Sequence, residues 1–402
     1  MAPLAETSCD STSLAFSADH SVINLDANAN AAPTAMVLSA VVEAMTSGAG
    51  NPSSGHLAGD LARAIVERAR DAVIGLLGGA YEDGVVFTSG CTEANNTVLR
   101  GLASHPARTL FVSAVEHASV LKVAQRLEVE GTEVRVVPVD AGGIVDLIEL
   151  EVGLQDSRDR GLISIQTANS ETGVIQPIAA IADLARRYGA IFHADAAQSF
   201  GKIRTVLGRG HGPDVITLSG HKLHAPAGTG AIVNGGAAIE YAPLIVGGDQ
   251  EHGRRAGTQS VPLLAGLAAA CKQRASALDA DVATMSTLRD RLESSIRTLL
   301  PWTVVNGAGA PRLPNASNIR FVGVDGMALV ANLDAEGILA SQGSACSSRR
   351  PEPSHVLTAM GLSEAEAFSS VRFSVSPLNT HQEIDQAVQI IVAAASRLRG
   401  GL

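Results

Sequence analysis

Lys222, in Ser219-Gly220-His221-Lys222, is one of four lysines among 30 Lys and Arg residues in this 402-residue chain. That segment directly follows the apolar stretch Val215-Ile216-Thr217-Leu218. A lysine flanked by small and anion-binding residue types at the end of an apolar run is a Schiff-base candidate. Asp195 closes a second apolar stretch, Ala190-Ile191-Phe192-His193-Ala194, and opens Asp195-Ala196-Ala197-Gln198. A carboxylate so placed can pair with a protonated pyridine nitrogen. An amine for a carbonyl and an acid for a ring nitrogen are what pyridoxal 5′-phosphate (PLP) requires.

Other residue types fit around that pair. Ser89-Gly90-Cys91-Thr92 sits between a strand pattern and a helix pattern, where free backbone N–H groups and a threonine hydroxyl suit a phosphate. Ordinary helix capping explains the same residues. His117, in Val115-Glu116-His117-Ala118-Ser119, could stack on a ring and act as acid or base, or could be a hydrogen-bonded loop histidine. Asp195 could equally cap a helix, Gln198 could be a surface residue, and Ser219 and His221 could satisfy local backbone. Thr258, in Arg255-Ala256-Gly257-Thr258, is a further phosphate-type element. Arg372, in the alternating Ser370-Val371-Arg372-Phe373-Ser374, could hold a substrate carboxylate in bidentate fashion or make an internal salt bridge.

Cys346 is a second reactive centre, in Gln342-Gly343-Ser344-Ala345-Cys346-Ser347-Ser348 with Arg349 and Arg350 following. A small-residue loop with adjacent positive charge favours an accessible thiol whose thiolate is stabilised. Cys91, at a helix start, and Cys271, in an alanine-rich helix, read as structural. The cysteines form no CxxC or Cys/His spacing, so neither a disulfide framework nor a zinc site is expected, and a reducing cytoplasm is.

These residues need a scaffold. Short apolar runs alternate with amphipathic stretches between about residues 56 and 235. The expected strands are 85–88, 109–113, 133–137, 162–166, 190–194, 215–219 and 230–233. The expected helices are 56–77, 92–103, 119–130 and 178–188. That alternation predicts an α/β fold with a mostly parallel sheet covered on both faces, and ligands bind outside the strand ends of such sheets. A long helix over 262–299 leads to a small C-terminal α+β domain with strands 317–322 and 371–375 and helices 327–336 and 380–397. The expected divisions are a flexible tail at 1–21, a large domain at 22–261 and a small domain at 262–402, with 22–50 packing near the latter. A net charge of −10 and 46 % hydrophobic content describe a globular protein without a footprint for nucleic acid or anionic membrane. No apolar run reaches membrane-spanning length, and the first twenty residues lack a signal-peptide pattern.

Taken together the segments resemble the cysteine desulfurases of the class V aminotransferase group, which are fold-type I PLP enzymes. The resemblance runs through Asn51-Pro52-Ser53-Ser54, Phe87 to Asn96, Glu116-His117, Glu171-Thr172-Gly173, His193 to Gln198, Ser219 to Lys222, Arg255 to Thr258, Gly343 to Cys346 and Val371 to Ser374. It covers nearly everything after residue 22. It implies a large domain on a seven-stranded sheet, with PLP held as a Schiff base by Lys222. Asp195 would pair with the pyridine nitrogen, His117 would stack on the ring and Gln198 would meet its phenolic oxygen. Thr92, Ser219 and His221 would bind the phosphate, with Cys91 and Ser170 among the cofactor contacts and Thr258 reaching across from a second subunit of a homodimer. Arg372, Asn169, Ser170 and Asn28 would receive the amino-acid substrate. Cys346 would take its sulfur as a persulfide for an acceptor protein, releasing alanine.

Two departures bear on the substrate. The family usually has Asn-Asn-Glu where this chain has Asn169-Ser170-Glu171, and serine is shorter with one donor fewer. Residues 27–32 also lack the family's two threonines. The alternative reaction is therefore a PLP-dependent lyase or aminotransferase acting on another amino acid. A non-catalytic scaffold is disfavoured because Lys222, Asp195, His117 and Cys346 stand together.

Overall fold

The strand Val215–Ser219 shows why the centre of this molecule is a two-faced sheet, because all five of its residues are buried. Alternate side chains leave it in opposite directions, so a strand covered on both faces is mostly apolar, and its buried polar members, Thr217 and Ser219, are hydrogen-bonded. The computed structural model describes residues 22–400 apart from 79, 104–108, 158–160, 209–211, 236–238 and 344–351. The tail at 1–21 and the Cys346 loop expected from sequence lie outside the described residues.

The sheet has seven strands in the order Ala80–Thr88, Gly230–Gly235, Val215–Ser219, Ile191–Asp195, Leu162–Ser164, Leu110–Ser113 and Val134–Val137. Gly230–Gly235 is antiparallel to both its neighbours, and every other pairing is parallel. Helices Cys91–Ala103 and Ala118–Val129 cover one face through Val98, Leu102, Val120 and Leu127, packed on Leu110, Val112 and Ile232. Leu57–Ile74, Ile178–Tyr188 and the first half of the long helix Val261–Leu299 cover the other, against Phe111, Ile163, Phe192 and Leu218. Ile178–Tyr188 stops at Gly189, whose φ of 64° lets its N–H close back on Ala185 and Arg186.

A second core forms beyond the first. Ala316–Phe321 lies between Thr303–Asn306 and Ser370–Ser374 in an antiparallel sheet. Phe321 and Phe373 meet edge to face at 6.3 Å. Helices Gly326–Ala335 and His381–Gly400 cover this sheet with the far half of Val261–Leu299, through Met285, Leu288, Leu292 and Ile296. One continuous helix thus contributes to both cores. Ile23 and Leu25 belong to the second core, and Ile23–Asn24 pairs with Ile338–Leu339. Helix Ala35–Thr46 instead adds Val37 and Ala44 to the first.

The strands and helices expected from sequence appear with ends shifted by a few residues, and Ile178–Tyr188 and Val215–Ser219 match at both ends. Among the elements not expected from sequence, three are instructive. Leu147–Asp156 alternates apolar and polar residues like a strand, yet Asp146 caps it as a helix and only Leu150, Gly153 and Leu154 are buried. Ala35–Thr46 is apolar nearly all round, so no periodic stripe marks it. Thr303–Asn306 is short and half exposed in its middle. No helix of the described residues is long and apolar enough to cross a membrane.

Candidate active site

A cleft of about 450 Å³ opens beside Asp195 and Ser219, at the C-terminal ends of their strands. At one end lie Ser89, Gly90, Cys91 and Thr92, at the start of helix Cys91–Ala103. Helix starts carry unpaired backbone N–H groups and a partial positive charge, which favour an anion. The backbone can come this close because Gly230 abuts Gly90, where an added Cβ would meet the Gly90 Cα at 2.5 Å. Ser219 and His221 line the same end, with Ser219 Oγ and His221 Nδ1 2.9 Å apart. Burial and the neighbouring Lys222 lower His221 to about 4, so its imidazole is neutral at pH 7.

Asp195 forms the middle of the floor. Its Oδ1 accepts from the Ala197 N–H at 2.9 Å and from the Cys91 thiol at 3.3 Å. Its Oδ2 accepts from Asn95 Nδ2 at 2.8 Å. These donors are all neutral, and no ion pair among the described residues engages Asp195. A buried carboxylate with neutral hydrogen-bond donors and no ion-pair partner suits a cationic ring nitrogen. Behind it, His193 is fully buried between Ser164 and Thr217, and desolvation lowers it to about 4.

Asn95 ties this floor to His117. Its second amide proton goes to Ser119 Oγ at 2.9 Å, and Ser119 Oγ lies 2.8 Å from His117 Nδ1. The Ser119 N–H also points at that Nδ1, which caps helix Ala118–Val129. The Ser119 N–H can only donate, so Nδ1 is an acceptor and the Ser119 hydroxyl donates to it as well. The ring nitrogen Nδ1 is then an acceptor twice over, which leaves the proton on Nε2. Asn95 Oδ1 in turn receives the Thr217 hydroxyl.

The opposite wall comes from the N-terminal segment and the second core. Lys222 Nζ donates to the backbone carbonyls of Asn28 and Ala29, the latter at 2.8 Å. Burial first, and Arg372 second, lower Lys222 to about 8, which makes a reactive free amine accessible near neutral pH. Gln198 Nε2 donates to the Asn28 carbonyl at 3.1 Å. Arg372, 2 % exposed, donates from Nη2 to Asp26 at 2.6 Å and from Nη1 to the Ser170 carbonyl at 3.2 Å. Its buried Nε has no partner among the described residues.

Of the residues singled out from sequence, Thr92, Cys91, His117, Asp195, Gln198, Ser219, His221, Lys222, Ser170, Arg372 and Asn28 all line this cleft. Cys91, read as a helix-start residue, is also a donor to Asp195. Two others do not line it. Asn169 is buried, its Nδ2 bound to the Val115 carbonyl and its Oδ1 taking the Glu171 and Thr172 N–H groups. Thr258 is exposed on the chain's own surface. Cys346 lies outside the described residues. Asn95, Ser119 and Thr217 were given no role from sequence. Asn95 follows Cys91 by one helical turn, which puts both on the face turned to Asp195.

Comparison with known proteins agrees with this arrangement. The model of the family described as aminotransferase class-V matches residues 23–387. Cysteine desulfurase 2 of Trichormus variabilis is 44 % identical over 382 residues, 94 % of each chain. A cysteine desulfurase of Sinorhizobium fredii is 41 % identical over 94 % of this chain and 97 % of its own. Among solved structures, a NifS-like protein from Rickettsia africae superposes with a TM-score of 0.84 at 31 % identity, over 94 % of this chain and all of the other. SspA in complex with cysteine gives 0.78 at 32 % identity, covering 89 % of this chain and 99 % of that one. The chain belongs to the class V aminotransferase family, in its cysteine desulfurase group, and has the fold-type I architecture of that group.

Proposed function

We propose that this protein is a PLP-dependent cysteine desulfurase: L-cysteine becomes L-alanine while its sulfur passes to the Cys346 thiol as a persulfide. The observation that carries the reading is the convergence of Lys222, Asp195 and His117 with an anion-binding helix start on one cleft. The residues present fit the cofactor. The cleft is of small-ligand size. Asp195 has only neutral partners, and Lys222 is buried with a lowered affinity for its proton.

In this reading Lys222 holds the cofactor and moves the substrate Cα proton, and Asp195 holds the ring nitrogen. Thr92, Ser219, His221 and the N–H groups at the start of Cys91–Ala103 hold the phosphate. His117 offers its Nε2 proton, and Arg372 receives the substrate carboxylate. PLP, when bound, supplies the electron sink for the bonds broken at Cα and at the substrate's sulfur. Sulfur leaves the substrate to the Cys346 thiolate, forming a sulfur–sulfur bond, and carbon takes up a proton to complete alanine. The cysteine named with SspA and the names of the curated relatives support L-cysteine as substrate.

We also propose a homodimer. Met36, Leu38, Val42, Met45 and Leu57 are exposed large apolar side chains on the first two helices, a surface that a second copy of the chain could cover. Thr258 would then complete the partner subunit's phosphate site. The division near residue 261 into a large and a small domain is supported by the two separate cores. A sulfur-acceptor protein and a reducing cytoplasm complete the proposal, since a persulfide needs both a recipient and protection from oxidation. The test is to load the protein with PLP and supply L-cysteine. Alanine and sulfide should form and Cys346→Ala should abolish both, whereas full turnover by that variant would overturn the reading.

A further inference from the structure

Lys202 has no role in the chemistry described so far, yet it is 4 % exposed. Lysines are rarely buried so completely without an acidic partner. No ion pair among the described residues engages it; the cations that face it are Lys222, Arg274 and Arg372, and the His224 imidazole is also within its electrostatic reach. Arg274 pairs with Asp281 and Arg372 with Asp26, so neither carboxylate is left for Lys202. Burial and these cations push Lys202 well below the usual lysine range.

Two amide oxygens account for its position. Lys202 Nζ donates to Asn28 Oδ1 at 2.8 Å and to Gln198 Oε1 at 3.1 Å. The other end of the Gln198 amide donates to the Asn28 backbone carbonyl, which can only accept. Gln198 is therefore pinned at both ends, and a flip of its amide would break both bonds. Its second Nε2 proton is left for the cleft that it lines. Asn28 is held likewise: Oδ1 also accepts from Asn315 at 2.9 Å, and Nδ2 donates to the Ser170 carbonyl. The Asn28 backbone carbonyl is in turn an acceptor for Lys222.

We propose that Lys202 is a positioning residue: its amine locks the Gln198 carboxamide, and through Asn28 the carbonyl beside Lys222, so that Gln198 presents an N–H donor to the cofactor. The inference rests on PLP occupying the cleft, as proposed above. A donor at the ring's phenolic oxygen draws electron density from it. The nitrogen joining Lys222 to the cofactor then keeps its proton less tightly.

The experiment is a pH titration of the visible band of PLP-loaded wild type, Lys202→Met, Gln198→Ala and the double variant. Gln198→Ala should raise the midpoint by about one pH unit, the worth of one hydrogen bond to a charged group. Lys202→Met should raise it in the same direction, and the double variant should move no further than the larger single shift. An unchanged midpoint in Lys202→Met, or shifts that add, would overturn the proposal. Wild type without a visible band would overturn the PLP reading instead, which keeps the two failures distinct. Should Lys202→Met fail to fold, a crystal structure of the PLP-loaded wild type decides. Lys202 Nζ within hydrogen-bond distance of Gln198 supports the proposal, and a separation beyond about 4 Å contradicts it.

Discussion

The Asp195 floor and the Arg372 wall of the cleft compensate their charges in opposite ways. Asp195 is surrounded by neutral donors from the sheet and from one helix: Ala197, Cys91 and Asn95. Arg372 stands on the second core's sheet and is paired with Asp26, which lies on the N-terminal segment. The floor is thus built from the central sheet and one helix packed on it, and its carboxylate has no ion-pair partner among the described residues. The wall is assembled from several chain segments, and its cation is already shared. An incoming carboxylate must compete with Asp26 or use the unpartnered Nε. A permanently bound group belongs at the first kind of site and a transient one at the second.

The largest effect expected from breaking this contrast is at the floor. Asp195→Ala removes the counter-charge for the ring nitrogen and strands the Asn95 donor. Turnover should fall by about 10²–10³-fold, with weaker PLP binding by absorbance titration. On the wall, Arg372→Leu leaves Asp26 without its cation, but Asp26 keeps part of its hydration at 19 % side-chain exposure. We expect a loss of about 2 kcal/mol in urea unfolding, below the range for a fully buried pair. KM for L-cysteine should rise more than kcat falls.

Lys222 allows a pH test of the cofactor-free protein. Its folded-state value is about 8, below the ordinary 10.5, so between these values the unfolded chain binds more protons. Stability from this group is lowest below pH 8 and is recovered as pH rises toward 10.5. Lys222→Met should therefore be more stable than wild type at pH 7 by a few kcal/mol, and the gap should close by about pH 10.5. The smallest effect concerns Ser170, whose backbone carbonyl makes the contacts to Asn28 and Arg372. Ser170→Ala should change kcat/KM by less than about threefold. A larger loss would give the hydroxyl a role of its own.

Sequence alone read the floor better than the wall. Asp195 and Ser219 end strands, and Thr92 and His117 stand at helix starts, where chain order and apolar periodicity reveal location. Lys222, against the wall, was found by the same signal because it follows Ser219 by three residues. Asn95 was hidden because its function lies in joining Asp195, Thr217 and Ser119, residues from separate elements. Lys202 was hidden for the opposite reason: nothing in Gly201-Lys202-Ile203 distinguishes a buried lysine from a surface one. The pairing of Arg372 with Asp26 joins residues 346 apart, which no local pattern encodes. Helix Leu147–Asp156 was missed because its alternating residues imitate a strand.

The central claim is tested most directly on the Cys346 peptide. PLP-loaded protein is given L-cysteine, and the digested protein is examined by mass spectrometry while alanine is counted. The account predicts alanine together with a Cys346 peptide heavier by one sulfur atom, and neither in Lys222→Ala. Alanine produced with no added sulfur on Cys346, or a keto acid produced in its place, would contradict it.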